Sequence, residues 1–128
     1  MRVLVAEDDP ENREILRRLL RRLGAEVSTV RDGVDALESF QGGGAFDIVF
    51  LDLGMPGMDG FAAANGMRTT EAERGWPHTP IVALSGADDD PSIVEAGFDG
   101  FMQKPIDSAS LKAALVRWTG KEGPESLR

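Results

Sequence analysis

The chain has no cysteine and only one histidine, His78, among its 128 residues. The first absence excludes disulfides and thiolate metal centres, and the second argues against a zinc site. No apolar run approaches the roughly 18 residues of a membrane span. The N-terminus enters a strand pattern directly, without the basic flank and apolar centre of a signal peptide. A cytoplasmic location without membrane contact is therefore expected. Positive charge is also scarce, with 14 basic against 22 acidic side chains and a net charge of −8. That balance argues against a nucleic-acid-binding surface. Five of the basic residues are bunched as Arg13, Arg17, Arg18, Arg21 and Arg22. The plain reading is a solvated helix face, with Arg21 and Arg22 favourable at the helix C-terminus.

What is present fits one domain with a single core, at 41% apolar residues. Residues 2–6 read as a buried strand, after which Asp9 caps and Pro10 opens a helix. That helix carries Ile15, Leu16, Leu19, Leu20 and Leu23 on one stripe and stops at Gly24. Glu26–Val30 reads as a second strand. Asp32-Gly33 opens a second helix through Ala36, Leu37 and Phe40, ended by the glycines at 42–44. Phe46–Leu51 is the most hydrophobic strand. Asp59-Gly60 begins a third helix, through Phe61, Ala64, Met67 and Arg68. Asn65-Gly66 conflicts with that helix, since a central glycine costs about 1 kcal/mol relative to alanine, and predicts a frayed middle. Ile81–Leu84 is a fourth strand, Ile93 and Val94 mark a short fourth helix, and Phe98–Gln103 a fifth strand. The last helix spans Asp107 to Trp118, through Leu111, Ala114 and Leu115. A domain over residues 1–119 and a polar tail over 120–128 are expected.

Alternating strands and helices imply an α/β fold, a doubly wound five-stranded parallel sheet. The order 2-1-3-4-5, a flavodoxin-like (βα)5 arrangement, places strands 1 and 3 side by side at the reversal point. Their C-terminal ends carry Glu7-Asp8-Asp9 and Asp52. Carboxylates crowded there repel one another, and a hard cation is the usual remedy. Oxygen-only ligands favour Mg2+, with Mn2+ as the alternative. Asp9 is assigned to the helix cap. A carboxylate beside such an ion can act as a nucleophile towards phosphorus if positive charge meets the transferring oxygens. Lys104 and Ser85, at the ends of strands 5 and 4, are placed to supply an ammonium and a hydroxyl.

These strings resemble the receiver domain of two-component response regulators and hybrid sensor kinases. The likeness rests on Val3 to Arg13, on Phe46 to Asp52 with Met55 to Gly60, on Pro80 to Ser85, and on Lys104-Pro105-Ile106. It covers residues 1–119. It implies that Asp52 accepts a phosphoryl group from a phosphohistidine on a sensor histidine kinase or a histidine phosphotransfer domain. It further implies that Asp8, Asp52 and the Gly54 carbonyl ligate Mg2+, with Glu7 acting through water. By the same resemblance Ser85 and Lys104 contact the phosphoryl oxygens and the Lys104–Pro105 peptide is cis. Phe101 then occupies the place of a rotating aromatic switch, with the signal passing to helix 4, strand 5 and helix 5. Gly54 and Phe101 depart from the usual residues, the first leaving a more open pocket and the second offering no hydroxyl.

Two other functions compete. A phosphatase with Asp52 as nucleophile needs a general acid two residues on, where Gly54 stands. A degenerate interaction module would not use phosphate, and the full set Glu7, Asp8, Asp52, Ser85 and Lys104 argues against it. The expected protein is thus a phosphorelay acceptor with self-catalysed chemistry rather than an enzyme, as a monomer or weak dimer. It is either a stand-alone regulator or the receiver part of a membrane-anchored hybrid kinase. His78 reads as an ordinary loop residue.

Overall fold

A computed structural model of the chain describes residues 1–42, 45–54, 60–86 and 97–120. The elements run β1 (Arg2–Ala6), α1 (Pro10–Arg22), β2 (Glu26–Val30), α2 (Gly33–Gln41) and β3 (Ile48–Asp52). They continue with α3 (Gly60–Arg74), β4 (Ile81–Ser85), β5 (Gly100–Gln103) and α4 (Ser108–Thr119). The five strands form one parallel sheet in the order β2-β1-β3-β4-β5, which is the expected doubly wound arrangement. The short helix through Ile93 and Val94, the glycine turn at 43–44, the turn at 55–59 and the tail beyond Gly120 lie outside the described residues.

β3 and β4 are buried at every position and β1 at all but its first, as strands covered on both faces must be. Alternate residues feed two cores. Leu4, Ala6, Val49, Leu51, Ile81 and Ala83 pack with Ala36 and Phe40 of α2 and Ala63, Ala64 and Met67 of α3. Val3, Val5, Ile48, Phe50, Val82 and Leu84 pack with Leu16 and Leu20 of α1 and Leu111, Ala114 and Leu115 of α4. Each fully buried leucine contributes about 1.5–3 kcal/mol. Asp9, Asp32 and Asp107 cap three helices through their side chains, accepting from the N–H of Glu11, Asp35 and Ser110.

The frayed middle expected for α3 is not found, since the helix runs unbroken from Gly60 to Arg74. A Cβ at Gly66 would lie 2.8 Å from Leu37 Cδ2. The glycine therefore lets α2 and α3 approach closely, and packing offsets its propensity cost. Gly100 has the same role against α4: a Cβ there would lie 2.2 Å from the Trp118 ring.

Arg68 ties α3 to the starts of β4 and β5. Its guanidinium donates to the carbonyls of Gly97 (3.0 Å) and Thr79 (2.8 Å) and to the carboxylates of Glu71 (2.9 Å) and Asp99 (2.7 Å). Asp99 also accepts from the N–H of Ile81 at 2.8 Å and Glu71 from that of Thr79 at 2.7 Å. The strand expected from Phe98 begins only at Gly100, although the Asp99 N–H already donates to Ile81 O at 2.8 Å. His78 joins the Arg68 network too, 2.6 Å from Asp99 Oδ1.

Candidate functional site

The site lies where the chain leaves β1, β3, β4 and β5. Beyond the β1 ladder, which ends at Ala6, the N–H of Glu7 still donates to Val30 O at 3.1 Å. Asp52 closes β3 opposite Leu84, and the next N–H, of Leu53, donates to Leu84 O at 3.1 Å. Ser85 closes β4, and its carbonyl accepts from the N–H of Lys104 at 2.7 Å. The Lys104–Pro105 peptide bond is cis. Main-chain bonds of the sheet thus hold every strand end in register with its neighbour.

Carboxylate oxygens of Glu7, Asp8 and Asp52 lie within 4.8 Å of one another. Glu7 and Asp52 are buried, at 1% and 6% exposed, whereas Asp8 faces solvent. Lys104 Nζ enters from the side, 3.0 Å from Glu7 Oε1 and 3.3 Å from Asp52 Oδ2. Oε1 of Glu7 is buried without a hydrogen-bond partner. The ammonium is near enough for an ionic contact but out of hydrogen-bond alignment. Asp52 Oδ1 accepts from the N–H of Gly54 at 3.1 Å.

Burial pushes the Glu7 carboxyl up to about 7, and its hydrogen bond with Asp52 pushes the same way, against the nearby Lys104. Asp52 moves oppositely. Burial opposes its ionisation, but hydrogen bonds from Glu7 and the Gly54 N–H, with the Lys104 charge, hold it below the usual carboxylate range. Lys104 is likewise held above the usual lysine value: burial disfavours its charge, and Glu7 and Asp52 outweigh burial. Of the two carboxyls Glu7 is therefore the one that more readily holds a proton.

Three acids against one ammonium, all-oxygen donors and an orphaned buried oxygen fit a hard divalent cation. Two glycines keep the pocket accessible. A Cβ at Gly54 would sit 3.9 Å from Asp52 Oδ1, so a side chain there would stand at the mouth. A Cβ at Gly60 would lie 2.8 Å from the Asp52 carbonyl oxygen, so only glycine lets α3 start this close to β3.

The structure brings Glu7, Asp8, Asp52 and Lys104 together. Ser85, buried, lies at the neighbouring strand end, and Gly54 stands on the rim. Phe101 is not in the acidic cluster. It pairs with Ala83 and packs, half-buried, against the core shared by α2 and α3. Beside the acids a groove of about 370 Å3 runs between α1 and the segment after β5, walled by Asn12, Ile15, Leu16, Pro105 and Ile106. Arg18, Arg21 and Arg22 are exposed on α1 as expected, with Arg21 and Arg22 in its last turn. Arg17 and Arg18 bind Glu14, whereas Arg13 Nη1 donates to the carbonyl of Glu7 at 3.0 Å. The Glu14 carboxyl is held down at about 2, chiefly by its hydrogen bond with Arg17. The sequence signal for Arg13 is its spacing: four residues after the Asp9 cap, it lies one turn into the helix.

An acidic, lysine-bridged cleft at the switch point of a doubly wound sheet defines a class of hard-cation, oxyanion-binding α/β domains. The comparison with known proteins narrows it. The sequence profile of the response regulator receiver domain matches residues 3–116, and the chain belongs to this family. It is 40% identical over 122 residues to the sensor protein GacS of Pseudomonas syringae pv. syringae, covering 93% of this chain and 13% of that protein. It is 38% identical over 122 residues to hybrid signal transduction histidine kinase A of Dictyostelium discoideum, covering 93% of this chain and 6% of that one. The chain thus spans a small part of the relatives it matches. Among solved structures it resembles the receiver domain of a sensor histidine kinase of Pseudomonas aeruginosa PAO1, with a magnesium ion coordinated in the active-site cleft. That match has 32% identity and a TM-score of 0.82, over 94% of this chain and 98% of that one. It also resembles a Saccharomyces cerevisiae receiver domain crystallised with a histidine phosphotransfer signalling protein, at 25% identity and a TM-score of 0.88, over 94% and 89% of the two chains. No helix among the described residues is long and apolar enough to cross a membrane.

Proposed function

We propose that the chain is the phosphoacceptor domain of a two-component phosphorelay, with Asp52 as the residue phosphorylated. The observation that carries this reading is the contact of Lys104 Nζ with Asp52 Oδ2 at 3.3 Å, inside a cluster that also holds Glu7 and Asp8. Asp52 is held ionised as a nucleophile must be, and the ammonium beside it meets the charge of an arriving phosphoryl group. The donor is a phosphohistidine of a histidine kinase or histidine phosphotransfer protein. An Asp52 oxygen bonds to phosphorus as the phosphorus–nitrogen bond breaks. The electron pair stays on the imidazole, which takes a proton from solvent, and an acyl phosphate remains on Asp52.

Asp8, Asp52 and the Gly54 carbonyl would hold Mg2+ directly, with Glu7 acting through water. When bound, the ion neutralises phosphoryl charge that the single ammonium cannot. Lys104 and Ser85 then bind the phosphoryl oxygens. Movement of Ser85 towards the phosphate makes room for Phe101, which lies one strand over, and the surface around β5 and α4 shifts population. Hydrolysis from Asp52 is catalysed by the same groups. The domain extends over residues 1–119, on the cytoplasmic side of a hybrid kinase or as a separate regulator.

The test is incubation with acetyl phosphate, with and without Mg2+, followed by intact-mass measurement. One phosphate adduct is expected, Mg2+-dependent, stable in acid and labile in base, and absent from Asp52→Asn. A wild-type protein that gains no adduct refutes the reading and leaves an interaction module that does not use phosphate.

A further inference from the structure

Five arginines crowd α1, yet only Arg13 bonds to the acidic cleft. Its own N–H donates to the carbonyl of the Asp9 cap at 2.9 Å, which fixes it on the turn next to the strand end. From there Nη1 reaches back 3.0 Å to the main-chain carbonyl of Glu7. That carbonyl lies one residue past the β1 ladder, and among the described residues no main-chain N–H donates to it. Arg13 takes the strand's place. Glu7 is then held by its N–H on Val30 O, by Arg13 at its carbonyl, by a long 3.4 Å contact from the Asp9 N–H to Oε2, by the side-chain hydrogen bond with Asp52 and by the ionic contact of Oε1 with Lys104. All but the Arg13 bond belong to the sheet, the acidic cleft or the main chain beside it. Arg13 is the one contributed by a helix side chain. It sets the peptide that joins Glu7 to Asp8, and therefore where both carboxylates point.

We infer that Arg13 is a positioning residue for the acidic cluster, acting through the Glu7 carbonyl and not by contact with ion or phosphate. The inference rests on the phosphoacceptor reading, and it has a sign that charge alone does not give. Removing a cation near three carboxylates should, on electrostatics, strengthen their attraction for Mg2+. Losing the bond that orients them should weaken it, by about 10-fold or more, as for other groups that hold metal ligands in place.

Three proteins separate the two effects: wild type, Arg13→Met, which keeps the bulk without a donor, and Arg13→Lys, which keeps charge and a donor. Mg2+ affinity is measured by calorimetry, and the Glu7 and Asp8 amide resonances are recorded in EDTA. Phosphorylation by acetyl phosphate is followed at saturating Mg2+. Arg13→Met should bind Mg2+ about 10-fold more weakly, shift both amides without metal, and recover its phosphorylation rate to within about threefold once Mg2+ saturates. Arg13→Lys should return affinity and resonances most of the way to wild type. Arg13→Met binding Mg2+ as tightly as wild type, or more tightly, overturns the inference. So does an Arg13→Lys variant that binds Mg2+ about 10-fold more weakly than wild type with both amides shifted, and this comparison with wild type decides the matter if Arg13→Met does not fold. A wild-type protein that binds no Mg2+ would instead remove the phosphoacceptor reading, and this inference with it.

Discussion

In metal-free protein the Glu7 carboxyl titrates at about 7, raised from 4.5 first by burial and then by its hydrogen bond with Asp52. A raised carboxyl means that the folded state holds the proton more tightly than the unfolded chain. Its contribution to stability is complete below pH 4.5 and is lost as pH rises through about 7. A shift of this size corresponds to on the order of 3 kcal/mol. The two groups in direct contact with it leave that window clear. Asp52 is lowered from 3.8 and Lys104 raised from 10.5, so neither changes charge between pH 5 and 8. The perturbation is therefore Glu7→Gln, which fixes the side chain in a neutral form and leaves every other titrating group in place. Urea unfolding is measured in EDTA at steps from pH 5 to 8.5, and the stability of the variant is subtracted from that of wild type. The difference should fall by about 2–3 kcal/mol across the range. Saturating Mg2+ should remove most of the fall, because the ion replaces the proton as the counter-charge. A difference that stays constant to within about 0.5 kcal/mol in EDTA would refute the reasoning, since ionising Glu7 beside Asp52 would then carry no folding cost.

Three further outcomes follow from the same contacts. Lys104→Met should slow phosphorylation by acetyl phosphate about 100-fold or more at saturating Mg2+, measured as the time course of the mass adduct. Arg68→Met leaves the buried Glu71 carboxylate without its guanidinium, and urea unfolding should show a loss of about 3–5 kcal/mol, largely recovered when Glu71→Met is added. Gly66→Ala gains about 1 kcal/mol of helix propensity but drives a methyl against Leu37. It should destabilise on its own and become stabilising in a Leu37→Ala background, a coupling of at least about 1 kcal/mol in a double-mutant cycle.

The strand ends were legible because a strand covered on both faces is written as an unbroken β-branched and apolar run. Such a run stops at its first charged or hydroxyl-bearing residue, as at Glu7, Asp52 and Ser85. Parallel strands end on the same edge, so with the order 2-1-3-4-5 the positions of Glu7, Asp52, Ser85 and Lys104 set them at one end of the sheet. Residues whose role depends on a distant partner were not legible. The Arg68 guanidinium meets the Gly97 carbonyl 29 positions away, and nothing in the local pattern of α3 announces it. Gly66 reads as a defect in a helix because the side chain that fills its missing Cβ, Leu37, belongs to another helix. Arg13 was only partly legible: its spacing after the Asp9 cap sets it one turn into α1, but in a row of arginines nothing marks the carbonyl it reaches.

The charges of the cleft also account for why its chemistry should depend on a divalent ion. Glu7, Asp8 and Asp52 carry up to three negative charges, and Lys104 supplies one positive charge in contact with two of them. The Arg13 guanidinium, whose Nη1 donates to the Glu7 main-chain carbonyl, adds only a more distant positive charge. A phosphoryl group arriving there brings further negative charge into a site where two of the three carboxylates are buried. Without a second cation the cleft repels its own substrate, and Glu7 meets part of the excess by keeping a proton. A divalent ion would displace that proton and bring the three carboxylates and the ammonium to neutrality, which makes cation binding and phosphate acceptance two steps of one electrostatic requirement.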